Sequence, residues 1–158
     1  MSFDGTGYGT DGTIWGGEIL LSDFRGFERL GHIAAFAQPG GDLSATEGWR
    51  DAVSMIRSSC EDEASALATV RELKLCSEAE ARVTMAMIRN GVNTVTSTSA
   101  GRLFDAVSAL LGIRLSQTFE GEAATSLQFV AERGEYKGDL VLAKPLREGG
   151  DGQLTIQT

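Results

Sequence analysis

Eleven of the chain's 20 glycines fall within residues 1–48, and none lies between 49 and 90. Lacking Cβ, glycine admits positive φ and close backbone approach, but it weakens a helix interior. A dense cluster therefore marks turns and tight contacts, and a long gap marks helix. The asymmetry predicts an N-terminal β part with short connections followed by a helical part. A flexible linker would not partition its glycines in this way.

Within the first part, Asp11-Gly12 between two short runs is a hairpin signal. One arm is Phe3-Asp4-Gly5-Thr6-Gly7-Tyr8-Gly9 and the other runs from Thr13 to Leu21. A third strand follows Arg25-Gly26, with Phe27, Arg29, Gly31, Ile33 and Ala35 on one face in imperfect alternation. Ala37-Gln38-Pro39-Gly40-Gly41-Asp42 reads as a loop, since proline fixes one φ and paired glycines permit positive φ.

From Ser44 the period changes. Trp49, Ala52, Val53 and Ile56 form the stripe of an amphipathic helix, and Glu61 to Leu75 continues helically. Ser77 with Glu80 is a capping box opening a helix that stops near Asn90-Gly91. After the hydroxyl-rich stretch Thr94 to Ser99 comes a helix over Ala100 to Gly112, with Leu103, Phe104, Val107, Leu110 and Leu111 as its apolar face. Phe119-Glu120-Gly121-Glu122 opens another helix that runs to Gly134. Asp139 to Ala143 reads as a strand, and residues 147–158 as a flexible or irregular tail. With 42% apolar residues in 158, the chain has enough material for one packed domain.

Charge narrows the function. Fourteen basic against 22 acidic residues give a net charge of −8, with no Lys/Arg cluster, which argues against nucleic acid as a partner. No apolar run is long enough for a membrane span. Cys60 and Cys76 lack CxxC spacing and suit a reducing, cytoplasmic setting better than a disulfide framework. HExxH, GxSxG and P-loop motifs are absent from the sequence. The chemistry that remains is phosphate approach. An Asp-Gly-Thr-Gly turn exposes backbone N–H groups, and Asp4 beside it suits a divalent metal held through oxygen. On spacing alone the commoner reading of such residues is an ordinary hairpin whose glycines serve twist and turn. Arg102 and Asp105, three apart on one helix, read either as a surface ion pair or as a carboxylate placed to accept from ribose hydroxyls.

Three stretches in order carry a family resemblance: Phe3-Asp4-Gly5-Thr6-Gly7-Tyr8-Gly9 through Trp15-Gly16-Gly17-Glu18; Pro39-Gly40-Gly41-Asp42 with Trp49-Arg50; and Thr98-Ser99-Ala100-Gly101-Arg102-Leu103-Phe104-Asp105 to Gly112, with Phe119-Glu120-Gly121-Glu122 after it. Together they resemble the HypF-type carbamoyltransferases of nickel–iron hydrogenase maturation, in their C-terminal Kae1-like domain. The Gly-Arg-Leu-Phe-Asp helix is also similar to that of the wider Kae1 family. The resemblance implies an α/β fold, part of an actin/Hsp70-like (ASKHA) domain: a β-hairpin sheet part over 1–36 and a helical part over 44–134, within a partial domain spanning 1–146.

It also implies chemistry. The family uses ATP and carbamoyl phosphate, through carbamoyl-adenylate, to carbamoylate the C-terminal cysteine thiol of a partner, HypE, towards the cyanide ligands of the hydrogenase iron. Asp4 would then help to bind a metal, Gly5, Thr6 and Gly7 would lie near phosphates, and Asp105 and Gly121 would lie around the adenosine with Arg102 nearby. The metal would be magnesium with ATP, or zinc or iron in a complete site. That site includes a paired-histidine motif upstream of the Asp-Gly-Thr-Gly strand, whereas the single histidine here, His32, stands elsewhere. The expectation is a piece of a longer enzyme that does not turn over alone, with homodimerisation through an exposed edge. An O-carbamoyltransferase of secondary metabolism and a non-catalytic nucleotide-binding or scaffold module are the alternatives.

Overall fold

Asp11 begins the architecture by accepting hydrogen bonds from Thr13 N at 3.0 Å and Thr13 Oγ1 at 2.7 Å, while Gly12 takes φ +78°. This turn joins β1 (Gly7–Tyr8) to β2 (Ile14–Trp15) as an antiparallel pair. The computed structural model describes residues 3–135, 146–148 and 153–156.

The arm expected to run from Thr13 to Leu21 is broken at Gly16-Gly17, and β3 (Glu18–Asp23) belongs to a different sheet. The break is steric. A Cβ on Gly16 would overlap the carbonyl oxygen of Asp4, and one on Gly17 would come within 2.7 Å of Thr98 O. Asp23 Oδ1 accepts from Arg25 N and Gly26 N to turn the chain into β4 (Gly26–Ile33), antiparallel to β3. The imperfect alternation in β4 is a bulge: Ile19 pairs with Gly31 and Leu20 with Arg29, leaving Leu30 as the extra residue.

Residues 37–42, expected as loop, are strand as far as Pro39. Strand β5 (Phe36–Pro39) pairs antiparallel with β6 (Thr94–Ser97), the hydroxyl-rich stretch, and proline sits at the strand end. Gly40 and Gly41, at φ +107° and +57°, then turn the chain into a 3₁₀ segment, Gly41–Ala45. One sheet has the order β1-β2-β6-β5, with β2 and β6 parallel.

The helical part follows its sequence signals closely. It comprises α1 (Trp49–Ser59), α2 (Glu63–Glu72), α3 (Glu78–Asn90), α4 (Ala100–Leu110) and α5 (Glu122–Arg133). Ser77 and Glu80 form the reciprocal capping box of α3, and Gly91 ends it in the left-handed region at φ +63°. The core lies where α1, α2, α3 and α4 meet: Trp49, Ala52, Val53, Ile56, Leu67, Val70, Leu75 and Met85 are buried together with alanines.

The buried face of α4 is offset from the expected one: Leu110 packs against the core and Leu103 and Val107 are half-buried, as expected, but the face is carried mainly by other residues. Phe104 and Leu111 are exposed, while Ala106, Ala109, Ser108, Arg102 and Asp105 are buried. Small side chains let α1 and α5 approach closely, and the two opposite charges enter the interior as a pair.

In the segment expected to be irregular, Leu146–Glu148 (β7) and Leu154–Ile156 (β8) are strands. β8 pairs parallel with β4, Gly31 opposite Leu154 and Ile33 opposite Ile156, completing a second sheet of order β3-β4-β8-β7. Local composition gives no sign of this, because the partner strand is remote in sequence. The expected strand Asp139–Ala143 lies outside the described residues. No helix among the described residues is long and apolar enough to cross a membrane.

Candidate functional site

The loop Asp4–Thr6 is seated on the N-terminus of α4 by glycines on both sides. Asp4 N donates to Gly16 O at 3.0 Å and Asp4 O accepts from Gly101 N at 3.2 Å. A Cβ on Gly101 would lie 2.8 Å from Gly5 Cα. Ser99 caps α4 by accepting from Arg102 N at 3.1 Å, and its hydroxyl donates to Gly5 O at 2.7 Å. The same hydroxyl thus starts the helix and holds the loop. Asp4 Oδ1 accepts from Gly5 N at 2.7 Å and Thr6 N at 3.4 Å, so the loop amides converge on a carboxylate oxygen.

Above this loop opens a cleft of about 500 Å³. Its walls are the loop Asp4–Thr6, Ala45 and Thr46 at the end of the 3₁₀ segment, Arg102 from α4, and the segment Gln117–Glu120 before α5. Gln117 stitches these walls together. Its Nε2 donates to Ala45 O at 2.5 Å and to Asp105 Oδ2 at 3.2 Å, its backbone N donates to Thr46 O at 2.8 Å, and its Oε1 accepts from Ala123 N at 3.4 Å. No short motif announces Gln117, and sequence reasoning missed it. Phe119, 63% exposed, presents an aromatic face at the rim.

The expected site residues divide by position. Asp4, Gly5, Thr6 and Arg102 line the one cleft. Gly7 lines a shallower neighbouring depression of about 200 Å³ with Tyr8, Trp15 and Glu18. Gly121 stands behind the rim at φ +78° as the residue preceding α5, where its left-handed turn sets the direction of Phe119 and Glu120. Asp105 is interior, only 2% exposed, with Oδ2 2.8 Å from Arg102 Nη2. Burial raises the Asp105 pKa, opposed by the Arg102 charge and by the hydrogen bonds from Gln117 and Arg102. As placed, its carboxylate orients Arg102 at the base of the cleft.

For a metal, the donor set is thin. Among the described residues no group of three His, Cys, Asp or Glu could hold an ion. Asp4 offers one carboxylate, and the His32 ring Nδ1 lies 2.7 Å from Ile33 O. These residues alone do not make a metal centre. Cys60 and Cys76 are free, and burial pushes the Cys76 thiol up to about 11.

The family model described as carbamoyltransferase, Kae1-like domain, second subdomain matches residues 1–153. The chain belongs to this family. The probable carbamoyltransferase HypF of Methanocaldococcus jannaschii is 40% identical over 140 residues, which is 89% of this chain and 18% of that protein. The carbamoyltransferase HypF of Rhodobacter capsulatus is 41% identical over 129 residues, 81% of this chain and 16% of that one. A crystal structure of full-length HypF in the phosphate- and nucleotide-bound form superposes with a TM-score of 0.81 at 30% identity, covering 99% of this chain and 19% of that one. The HypF structure from T. kodakarensis gives 0.74 at 28%, covering 99% of this chain and 20% of that one. The Kae1-like subdomain seen here thus spans less than a fifth of the two HypF relatives named first. The α/β architecture of strands followed by helices is that of the HypF Kae1-like domain.

Proposed function

We propose that this subdomain forms one wall of a nucleotide site in a carbamoyltransferase, with ATP or carbamoyl-adenylate as the ligand. The observation that carries the reading is the convergence of the Asp4–Thr6 loop, Arg102 and the Gln117–Glu120 segment on a single cleft of nucleotide size. The phosphate- and nucleotide-bound form of a similar HypF supports it. In this reading the phosphates lie against Arg102 and take the place of the Asp4 carboxylate oxygen as acceptor for the Gly5 and Thr6 amides. Asp105 fixes Arg102 from behind, and Phe119 flanks the base.

The reaction of the complete enzyme follows from that ligand. The thiol sulfur of the HypE C-terminal cysteine attacks the carbamoyl carbon, the carbon–oxygen bond to the adenylate phosphate breaks, and AMP leaves with the bonding pair as the thiol proton is lost. Arg102 and the loop amides stabilise the charge gathering on the departing phosphate. Turnover also needs the sites that hydrolyse carbamoyl phosphate and form the adenylate, so the 158 residues by themselves bind the nucleotide without completing the cycle.

Calorimetric titration with ATP, with and without Mg²⁺, tests the reading. The expected result is weak binding that Arg102→Met lowers about tenfold, matching loss of one charge-assisted phosphate contact. Asp105→Ala should lower it less, by releasing Arg102. No binding, or an affinity indifferent to both substitutions, would overturn the assignment.

A further inference from the structure

Behind the cleft lies a carboxyl group that the nucleotide reading does not use. Asp51 sits in the first turn of α1 and is fully buried, and neither of its oxygens has a hydrogen-bond partner. A buried carboxyl is ordinarily paired or hydrogen-bonded, because desolvation of its charge is otherwise uncompensated. The start of α1 abuts α4 at Asp105: a Cβ on Gly48 would lie 2.8 Å from Asp105 O. Asp51, one helical turn beyond Gly48, therefore belongs to the face of α1 turned towards Arg102 and Asp105. A second orphan stands there. Arg102 spends Nη2 on Asp105, while its buried Nε has no partner.

Arg102 exerts the strongest favourable field on Asp51, Asp105 opposes it, and Arg50 on the same helix adds a smaller favourable contribution. α1 also packs against α2, α3, β5 and the 3₁₀ segment, and no charged group on those elements is among the influences on Asp51. The buried group is thus governed by one arginine that faces two carboxyls and is hydrogen-bonded to one of them.

We propose that Asp51 is a positioning residue for Arg102. As a neutral acid it leaves the guanidinium paired with Asp105 and directed into the cleft; once ionised it draws the free Nε edge towards α1 and lowers the affinity of the cleft for anions. Both the added negative charge and the competition with Asp105 act in the same direction, so anion affinity falls as pH rises. Burial places the transition near pH 8.

Side-chain nitrogen NMR of the ¹⁵N-arginine-labelled chain tests this without any ligand. The Arg102 Nε resonance is expected to move between pH 6.5 and 9.5 in the wild type and to stay fixed in Asp51→Asn. Sulfate, whose charge is constant over that range, is the anion probe. Its affinity should fall about fivefold or more from pH 7 to 9.5 in the wild type, as expected for a like charge introduced within several ångströms, and remain level in the variant. A wild-type Nε resonance that does not titrate overturns the proposal, as does a variant that keeps the wild-type response. Should Asp51→Asn not fold, the wild-type Asp51 carboxyl ¹³C resonance decides. Titration in step with Arg102 Nε upholds the proposal, and titration elsewhere overturns it. These readouts do not require that the cleft bind nucleotide, so either reading can fail separately.

Discussion

Replacing Asp51 by asparagine should stabilise the protein in a pH-dependent way whose size follows from the structure. Burial raises the Asp51 pKa from 3.8 to about 8. Between those values the folded chain holds a proton that the unfolded chain has released, so stability falls as pH rises through this window. Below 3.8 both states are protonated and there is no penalty. Above about 8 both are ionised and the penalty is constant. At about 1.36 kcal/mol per pH unit, the penalty reaches about 4 kcal/mol at pH 7. Asparagine has nearly the same shape and never ionises, but it buries an amide at a cost of about 1–3 kcal/mol. That cost does not vary with pH, so it cancels from the trend. Urea denaturation of both proteins at pH 4, 5.5, 7 and 8.5 isolates the difference. The variant's stability relative to the wild type should rise by about 4 kcal/mol from pH 4 to pH 7 and flatten above 8. A difference independent of pH would refute the reasoning, since it would mean that Asp51 is not held protonated in the folded state.

Two further perturbations probe the seating of the loop. Gly16→Ala places a methyl group against the carbonyl of Asp4 and should cost about 1–3 kcal/mol by overpacking, read as a lower urea midpoint, with ATP affinity falling more than stability alone explains. Ser99→Ala removes the α4 cap and the bond to Gly5 O together; a loss of about 2 kcal/mol is expected, and amide exchange should quicken at Gly101 and Arg102 before it does in α3.

Features whose physics is local were legible in the sequence. The Asp11-Gly12 turn, the Ser77–Glu80 capping box, the Gly91 stop and the Trp49–Ile56 stripe each depend on residues within one or two turns of one another. What escaped depends on contacts between remote segments. Gly16-Gly17 looked like part of a strand because the backbone that excludes a Cβ there belongs to Asp4 and Thr98. The Leu103–Leu111 stripe located the face of α4 only in part, with Leu110 against the core but Phe104 and Leu111 exposed, because apolarity alone takes no account of an internal Arg102–Asp105 pair or of close packing by small residues. Four cleft residues, Asp4, Gly5, Thr6 and Arg102, could be singled out from motif and charge, whereas Gln117 and Asp51 depend on the assembled interior for their significance.

The parallel pairing of β8 with β4 also shapes how the chain reaches its fold. Gly31 and Leu154 meet across 123 intervening steps of chain (154 − 31), and closing such a loop costs about 4 kcal/mol of entropy. The β3–β4 hairpin and the helices need no such closure, so topology favours their assembly before β8 arrives. During that interval β4 presents an unpaired edge beside the exposed Leu20, Leu21 and Phe27. A β8 from another molecule fits the same edge in the same register. Docking of β8 onto β4 is therefore the step that closes this edge, and its speed sets how long the edge stays open to pairing with another strand.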